Sequence, residues 1–89
     1  MEIVLTEEAK KDLDRHKKSG NKANMRKIEQ LFYALLADAY TGIGQPEALK
    51  FELTGKWSRR INMEYRMVYS VNENEKMIYI ESLWGHYKK

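Results

Sequence analysis

Cysteine is absent from this 89-residue chain, and proline occurs once, as Pro46. Without cysteine there is no disulfide framework and no thiolate metal site. The two histidines, His16 and His86, are too few and too far apart in sequence to suggest zinc. Long apolar runs are also missing, and the opening Met-Glu-Ile-Val-Leu-Thr-Glu-Glu carries no basic leader. Neither a signal peptide nor a membrane span is therefore expected, and a cytoplasmic location follows. Internal repeats, low-complexity tracts and linkers are lacking, so one domain is expected over residues 1–89. A core built from so short a chain is modest, which makes a partner chain a natural supplement.

What is present is basic charge, unevenly spread. The net charge is +3 and the isoelectric point about 9.1, a balance that favours nucleic acid as a partner. Between Ala48 and Val71 the basic residues are Lys50, Lys56, Arg59, Arg60 and Arg66, set against Glu52 and Glu64 alone. The first helical stretch mixes both signs and reads as a solvated face.

The hydrophobic pattern predicts an α+β domain: an N-terminal strand, two helices, then an antiparallel meander of about four strands. Glu2 to Leu5 has the β-branched character of a strand, and Thr6 can cap a helix with Glu7 and Glu8 in its first turn. Ala9, Leu13 and His16 form a thin inner stripe. A second helix opens near Asn21 or Asn24, with Met25, Ile28, Leu31, Phe32, Leu35 and Leu36 at helical spacing. Gly42 and Gly44 are expected to end it and to open an irregular loop carrying Pro46 and Glu47. Strands are then expected over Leu49 to Leu53, Trp57 to Asn62, Arg66 to Val71 and Lys76 to Leu83, with turns at Thr54-Gly55 and at residues 72–75. So few helices cannot cover both faces of the sheet. The open face, if it carries arginine and aromatic groups, suits RNA.

The chemistry-bearing residues gather in the second half. Cutting RNA without a cofactor needs a base for the 2′-hydroxyl, cations for the crowded phosphate and an acid for the departing 5′-oxygen. An isolated Glu47, the Lys/Arg cluster and a terminal His86-Tyr87 supply those parts. Gly42-Ile-Gly-Gln-Pro-Glu47-Ala-Leu-Lys50, Leu53-Thr-Gly55-Lys-Trp57-Ser-Arg59-Arg60-Ile61, Tyr65-Arg66-Met-Val-Tyr69 and the closing His86-Tyr87 together resemble the Txe/YoeB group of RelE-like toxins from bacterial toxin–antitoxin pairs. The resemblance implies a ribosome-dependent mRNA endonuclease restrained by a cognate antitoxin; whether the free toxin also forms a homodimer stays open. It implies Glu47 as general base, His86 as general acid, Arg66 as phosphate-stabilising cation and Tyr87 as a terminal aromatic that positions the substrate. Lys50 and Arg60 correspond to basic residues around the scissile phosphate, and no metal or other cofactor is implied. Two features depart from the group: Lys88-Lys89 extend past the His-Tyr pair, and Gly85 precedes His86 where a bulkier residue is common.

Each residue also has a plainer reading. A loop glutamate is usually just solvated, and an ionised one is a weak base unless partial burial raises its pKa. A histidine near a terminus is often frayed, and near neutrality its acid form needs a neighbouring phosphate. Arg59 and Arg60, adjacent in a strand, must point to opposite faces, so only one can serve the site, and the resemblance favours Arg60. Trp57 and Tyr69 are assigned to packing, Trp84 is left open, His16 is read as structural or solvated, and Tyr87 is the better stacking candidate. A non-catalytic toxin of the same fold that poisons gyrase by binding, and an inactive RNA-binding module, stay open as alternatives at this point.

Overall fold

A computed structural model describes residues 1–86, the side chain of His86 excepted. Chain order is β1 (Glu2–Leu5), α1 (Glu7–Lys18), α2 (Lys22–Ala37), β2 (Glu47–Ala48), β3 (Lys56–Arg60), β4 (Tyr65–Asn72) and β5 (Met77–His86). The strands form one five-stranded sheet in the order β1-β5-β4-β3-β2. From β2 to β5 every pairing is antiparallel, as the short turns require. β1 lies parallel to β5, which the crossover through α1 and α2 makes possible.

Both helices begin as their caps dictate. The Thr6 hydroxyl accepts from Ala9 N–H at 3.1 Å and the Asn21 side chain from Asn24 N–H at 3.0 Å, each satisfying an otherwise orphaned donor. α2 ends at Ala37, earlier than the glycines suggested. Asp38 takes over the backbone there, its carboxylate accepting from Tyr40 N–H at 2.8 Å and Thr41 N–H at 3.2 Å, which holds its pKa below the ordinary range.

Ala9, Ile28, Leu31 and Leu35 from the helices pack on Met67, Tyr69, Ile78 and Ile80 of β4 and β5, so both helices cover one face. Leu36, expected on that apolar stripe, is instead exposed. The opposite face of the sheet is left to the loop after β2. Neither helix is long and apolar enough to cross a membrane.

The strand expected over Leu49 to Leu53 is not there. Pairing with β3 stops after Leu49 N–H donates to Lys56 O at 2.9 Å, and Phe51–Leu53 is a 3₁₀ turn. Leu49 and Leu53 are both half-buried and four residues apart, a spacing that a helical turn satisfies as well as an alternating strand does. Phe51 is turned out, 85% exposed, with φ at +58°. A positive φ is unusual for so bulky a residue. The Phe51 carbonyl is held by Thr54 N–H at 3.1 Å and the Thr54 hydroxyl at 2.7 Å.

Candidate functional site

Glu47 is not in a loop but in β2, a two-residue strand at the edge of the sheet. Its approach is set by a buried arginine. Arg59 is wholly buried, and its guanidinium donates to the carbonyls of Asp38 (2.7 Å), Thr41 (2.8 Å) and Ile43 (3.0 Å), while Nε donates to the Tyr69 hydroxyl at 3.2 Å. The Tyr69 hydroxyl in turn donates to Ala39 O at 2.7 Å. One planar cation thus gathers the whole connection from α2 to β2, a role that rests on its fork of donors. Gly44 completes the approach. A Cβ there would stand 2.7 Å from Leu31 Cδ2, and its φ is +86°. Only glycine lets the loop lie this close to α2. The Gly44 carbonyl accepts from Arg60 N–H at 2.7 Å, three residues before Glu47.

Register then decides which side chains share a face. Glu47 lies opposite Ser58, Ser58 opposite Val68, and Arg60 directly opposite Arg66. Directly paired residues point to the same side, as do residues two apart in one strand. Glu47, Arg60 and Arg66 therefore occupy the face away from the helices. Glu47 and Arg60 are diagonal neighbours, with backbones about 7–8 Å apart, within reach of long side chains. Arg59, one residue from Arg60, points to the core, as the opposite-face reading required.

The loop after β2 makes a cavity of this open face. It measures about 770 Å³ and is lined by Glu47, Ala48, Leu49, Lys50, Phe51, Leu53 and Arg66, a size typical of ligand sites. Glu47, Lys50 and Arg66 are thus brought together. Arg60 lines a neighbouring cavity of about 380 Å³ with Lys27 and Met63. Glu47 is exposed.

Arg66 is half-buried and lies across from Gly85 in the ladder. A Cβ at Gly85 would approach Arg66 Cγ to 3.3 Å. The glycine that sets this chain apart from its resemblance therefore gives the arginine side chain room to cross β5. Gly85→Ala is expected to shift Arg66 by a few tenths of an ångström and to slow any reaction that depends on it without unfolding the chain. A melting curve beside a rate measurement checks this.

Backbone pairing sets His86 opposite Tyr65, one step along from Arg66 and Gly85. The His86 side chain, Tyr87, Lys88 and Lys89 lie outside the described residues. His16 is structural, as one of its two readings had it: fully buried, with Nε2 donating to Leu83 O at 2.7 Å. Trp57 and Tyr69 pack as expected, Trp57 against the Tyr40 ring at 5.1 Å. Trp84, left open by its sequence, stacks between His16 (4.5 Å) and Tyr65 (4.3 Å) under Arg15 (4.0 Å). Two residues that shape the site were not singled out in advance. Arg59 was set aside as the redundant half of an arginine pair, and Phe51 was absorbed into a strand pattern that its positive φ breaks.

Comparison with known proteins bears on the sequence and the fold. Residues 5–87 match the family of YoeB-like toxins of the bacterial type II toxin–antitoxin system. The toxin YoeB of Synechocystis sp. is 43% identical over 58 residues, covering 65% of this chain and 67% of that relative. Among solved structures, a YoeB/ParE toxin from Agrobacterium tumefaciens superposes with a TM-score of 0.90 at 30% identity, over 98% of this chain and all of the other. A heterotetrameric YoeB-YefM toxin–antitoxin complex from Staphylococcus aureus matches with a TM-score of 0.80 at 38% identity, over 96% and 95% of the two chains. A dimer of the S. aureus YoeB matches with a TM-score of 0.83 at the same identity, over 98% of each. By family match, sequence identity and overall fold, the chain belongs to the YoeB-like toxins of bacterial type II toxin–antitoxin systems.

Proposed function

We propose that this toxin is a ribosome-dependent endoribonuclease that cuts mRNA by attack of a 2′-hydroxyl on the adjacent phosphate. The observation that carries the reading is the open face, where Glu47, Lys50 and Arg66 line one cavity and Arg60 stands directly opposite Arg66. The planar fork of each arginine suits two phosphate oxygens. In this scheme Glu47 takes the 2′-hydroxyl proton and the 2′-oxygen bonds to phosphorus. The bond from phosphorus to the 5′-oxygen then breaks, and His86 gives that oxygen a proton. The products are a 2′,3′-cyclic phosphate and a free 5′-hydroxyl. Arg66 and Lys50 hold the extra negative charge of the crowded phosphate, Arg60 anchors its flank, and Tyr87 stacks on a base.

Dependence on the ribosome follows from how open the site is. Glu47 is open to water until a partner surface covers it, and a free RNA strand samples many conformations besides the in-line one. A ribosome that displays mRNA in a fixed pose supplies both. Programmed ribosomes carrying a defined mRNA are therefore expected to yield one discrete cut, while the same mRNA alone is cut slower by several orders of magnitude. Equal rates on the two would sink the ribosome-dependent reading.

Restraint is proposed to come from a cytoplasmic antitoxin, since the S. aureus toxin is found in complex with one, and the free toxin is proposed to pair with a second copy, as in the S. aureus YoeB dimer. The antitoxin is expected to lay acidic or aromatic groups near Arg60, Arg66 and His86, since masking a concentrated cationic surface is an efficient way to inhibit it. Arginine-selective chemical labelling of the complex should show Arg60 and Arg66 protected relative to the free toxin. Unchanged labelling would rule out direct occlusion.

A further inference from the structure

β1 is four residues long, and its register with β5 ends where Leu5 meets Ile80. β5 continues to His86, and among the described residues its last six have no strand on that side. On the other side, β4 pairs Val68 with Ser82 and Arg66 with Gly85, and the register shift between them leaves Leu83 and Trp84 with no partner residue in the ladder among the described residues. Leu83 is nevertheless fully buried. Buried backbone groups must find partners. Helix α1 supplies them. Asp12 Oδ2 accepts from Leu83 N–H at 2.9 Å, and His16 Nε2–H donates to Leu83 O at 2.7 Å. Just before this point the Thr6 hydroxyl, at the cap of the same helix, donates to Glu81 O at 3.0 Å. Asp12 and His16 are four apart and so lie on one helix face. They act as a surrogate strand for the bulged end of β5.

Both side chains are buried, at 7% and 0% exposure, and their partners lie 71 and 67 residues away in sequence. The His16 ring is further gripped by Tyr65 at 5.4 Å and Trp84 at 4.5 Å. Tyr65 is the residue that pairs with His86, and Trp84 lies two residues before it. A bulge re-aims the chain beyond it, so whatever fixes Leu83 fixes the direction in which residues 84–86 leave.

We propose that Asp12 and His16 are positioning residues for the C-terminal general acid, setting the course of the β5 backbone that carries His86. This rests on the nuclease reading given above. The helix, through two backbone bonds to one residue, then contributes to proton delivery without touching RNA.

The test uses programmed ribosomes and an mRNA whose bridging 5′-oxygen at the cut is replaced by sulfur, a leaving group that needs little protonation. His16→Leu and Asp12→Leu delete one clamp bond each. On ordinary mRNA each is expected to slow cleavage by roughly 10–100-fold, the scale of an acid displaced by about 1 Å. On the sulfur substrate both should return to within about threefold of the parent, as His86→Ala should. His16→Gln, which keeps an N–H donor at similar reach, and Asp12→Asn, which keeps an oxygen acceptor, should retain most of the rate on ordinary mRNA. If a leucine variant does not fold, an ester replacing the Ser82–Leu83 amide removes the N–H that Asp12 accepts and leaves every side chain in place. Folded clamp variants that lose rate equally on both substrates, or lose none, overturn the proposal while sulfur still rescues His86→Ala. Absence of rescue in His86→Ala itself overturns the acid assignment and the clamp with it.

Discussion

Arg59→Ala is expected to destabilise the fold by about 3–4 kcal/mol and to lower the melting temperature by roughly 15–30 °C. The cause is local. The substitution empties a fully buried site and removes four donated hydrogen bonds, to the carbonyls of Asp38, Thr41 and Ile43 and to the Tyr69 hydroxyl. Water can reach parts of the exposed 38–43 connection, which offsets some of the loss; the Tyr69 hydroxyl, buried, keeps only its bond to Ala39 O. For a domain with about 5–15 kcal/mol in total, a loss of this size is a large fraction. Arg59→Lys should recover only part of it, because one ammonium cannot reach three carbonyls and a phenol together. The same change frees the path into Glu47, so cleavage should fall even where the variant stays folded. Thermal unfolding followed by circular dichroism checks the first effect. A melting point within about 3 °C of the parent would show that the connection does not hang on Arg59.

How far this was legible in the sequence depends on how local each determinant is. The caps at Thr6 and Asn21 were readable because capping acts over three residues. The α2 face was readable from its period, apart from Leu36, whose exposure depends on where the helix sits on the sheet. The meander followed from turn residues at 54–55 and 72–75. The parallel pairing of β1 with β5 was not foreseen, since nothing near Ile3 specifies a partner 75 residues on. Alternation over Leu49 to Leu53 misled because an i, i+4 pair of leucines serves a strand and a helical turn equally. Arg59 and Arg60 look alike in sequence. Strand parity placed them on opposite faces, but only the fold shows that the inward one is an organiser of the connection rather than a spare. Of the candidate site, Glu47, Lys50 and Arg66 could be named from motif resemblance, and the cavity that unites them depends on a loop no period describes. The clamp on Leu83 was out of reach for the same reason: Asp12 and His16 serve a residue some seventy positions away.

Arg66→Ala is expected to slow cleavage of ribosome-bound mRNA by about 10²–10³-fold, the usual cost of losing one donor to a developing oxyanion. The loss should appear in the maximal rate far more than in the concentration of ribosomes needed for half-saturation, because the charge it stabilises develops in the transition state. Unlike the His86→Ala deficit, it should persist on the sulfur substrate, since the stabilised charge sits on non-bridging oxygens whichever atom leaves. Glu47→Ala should be comparably slow on both substrates, because the nucleophile still has to lose its proton. Lys50→Ala and Arg60→Ala, which act on the flanks of the phosphate, should cost less than Arg66→Ala and weaken with added salt. A fall confined to half-saturation in Arg66→Ala would mean that it only binds the ribosome. Rescue of Glu47→Ala by sulfur to the same degree as His86→Ala would reverse the assignment of acid and base.

The proposed cleavage turns on the 2′-hydroxyl as nucleophile, and one substitution in the substrate isolates it. An mRNA carrying a single 2′-deoxynucleotide immediately 5′ to the mapped cut can be loaded on programmed ribosomes and incubated with the toxin, and its fragments weighed by mass spectrometry. The all-ribose mRNA should give an upstream fragment ending in a 2′,3′-cyclic phosphate and a downstream fragment with a free 5′-hydroxyl, and the deoxy mRNA should not be cut at that bond. Cleavage of the deoxy mRNA at the same bond and rate, leaving a 3′-hydroxyl and a 5′-phosphate, would show that water is the nucleophile and that Glu47, Arg66 and His86 do not act as assigned.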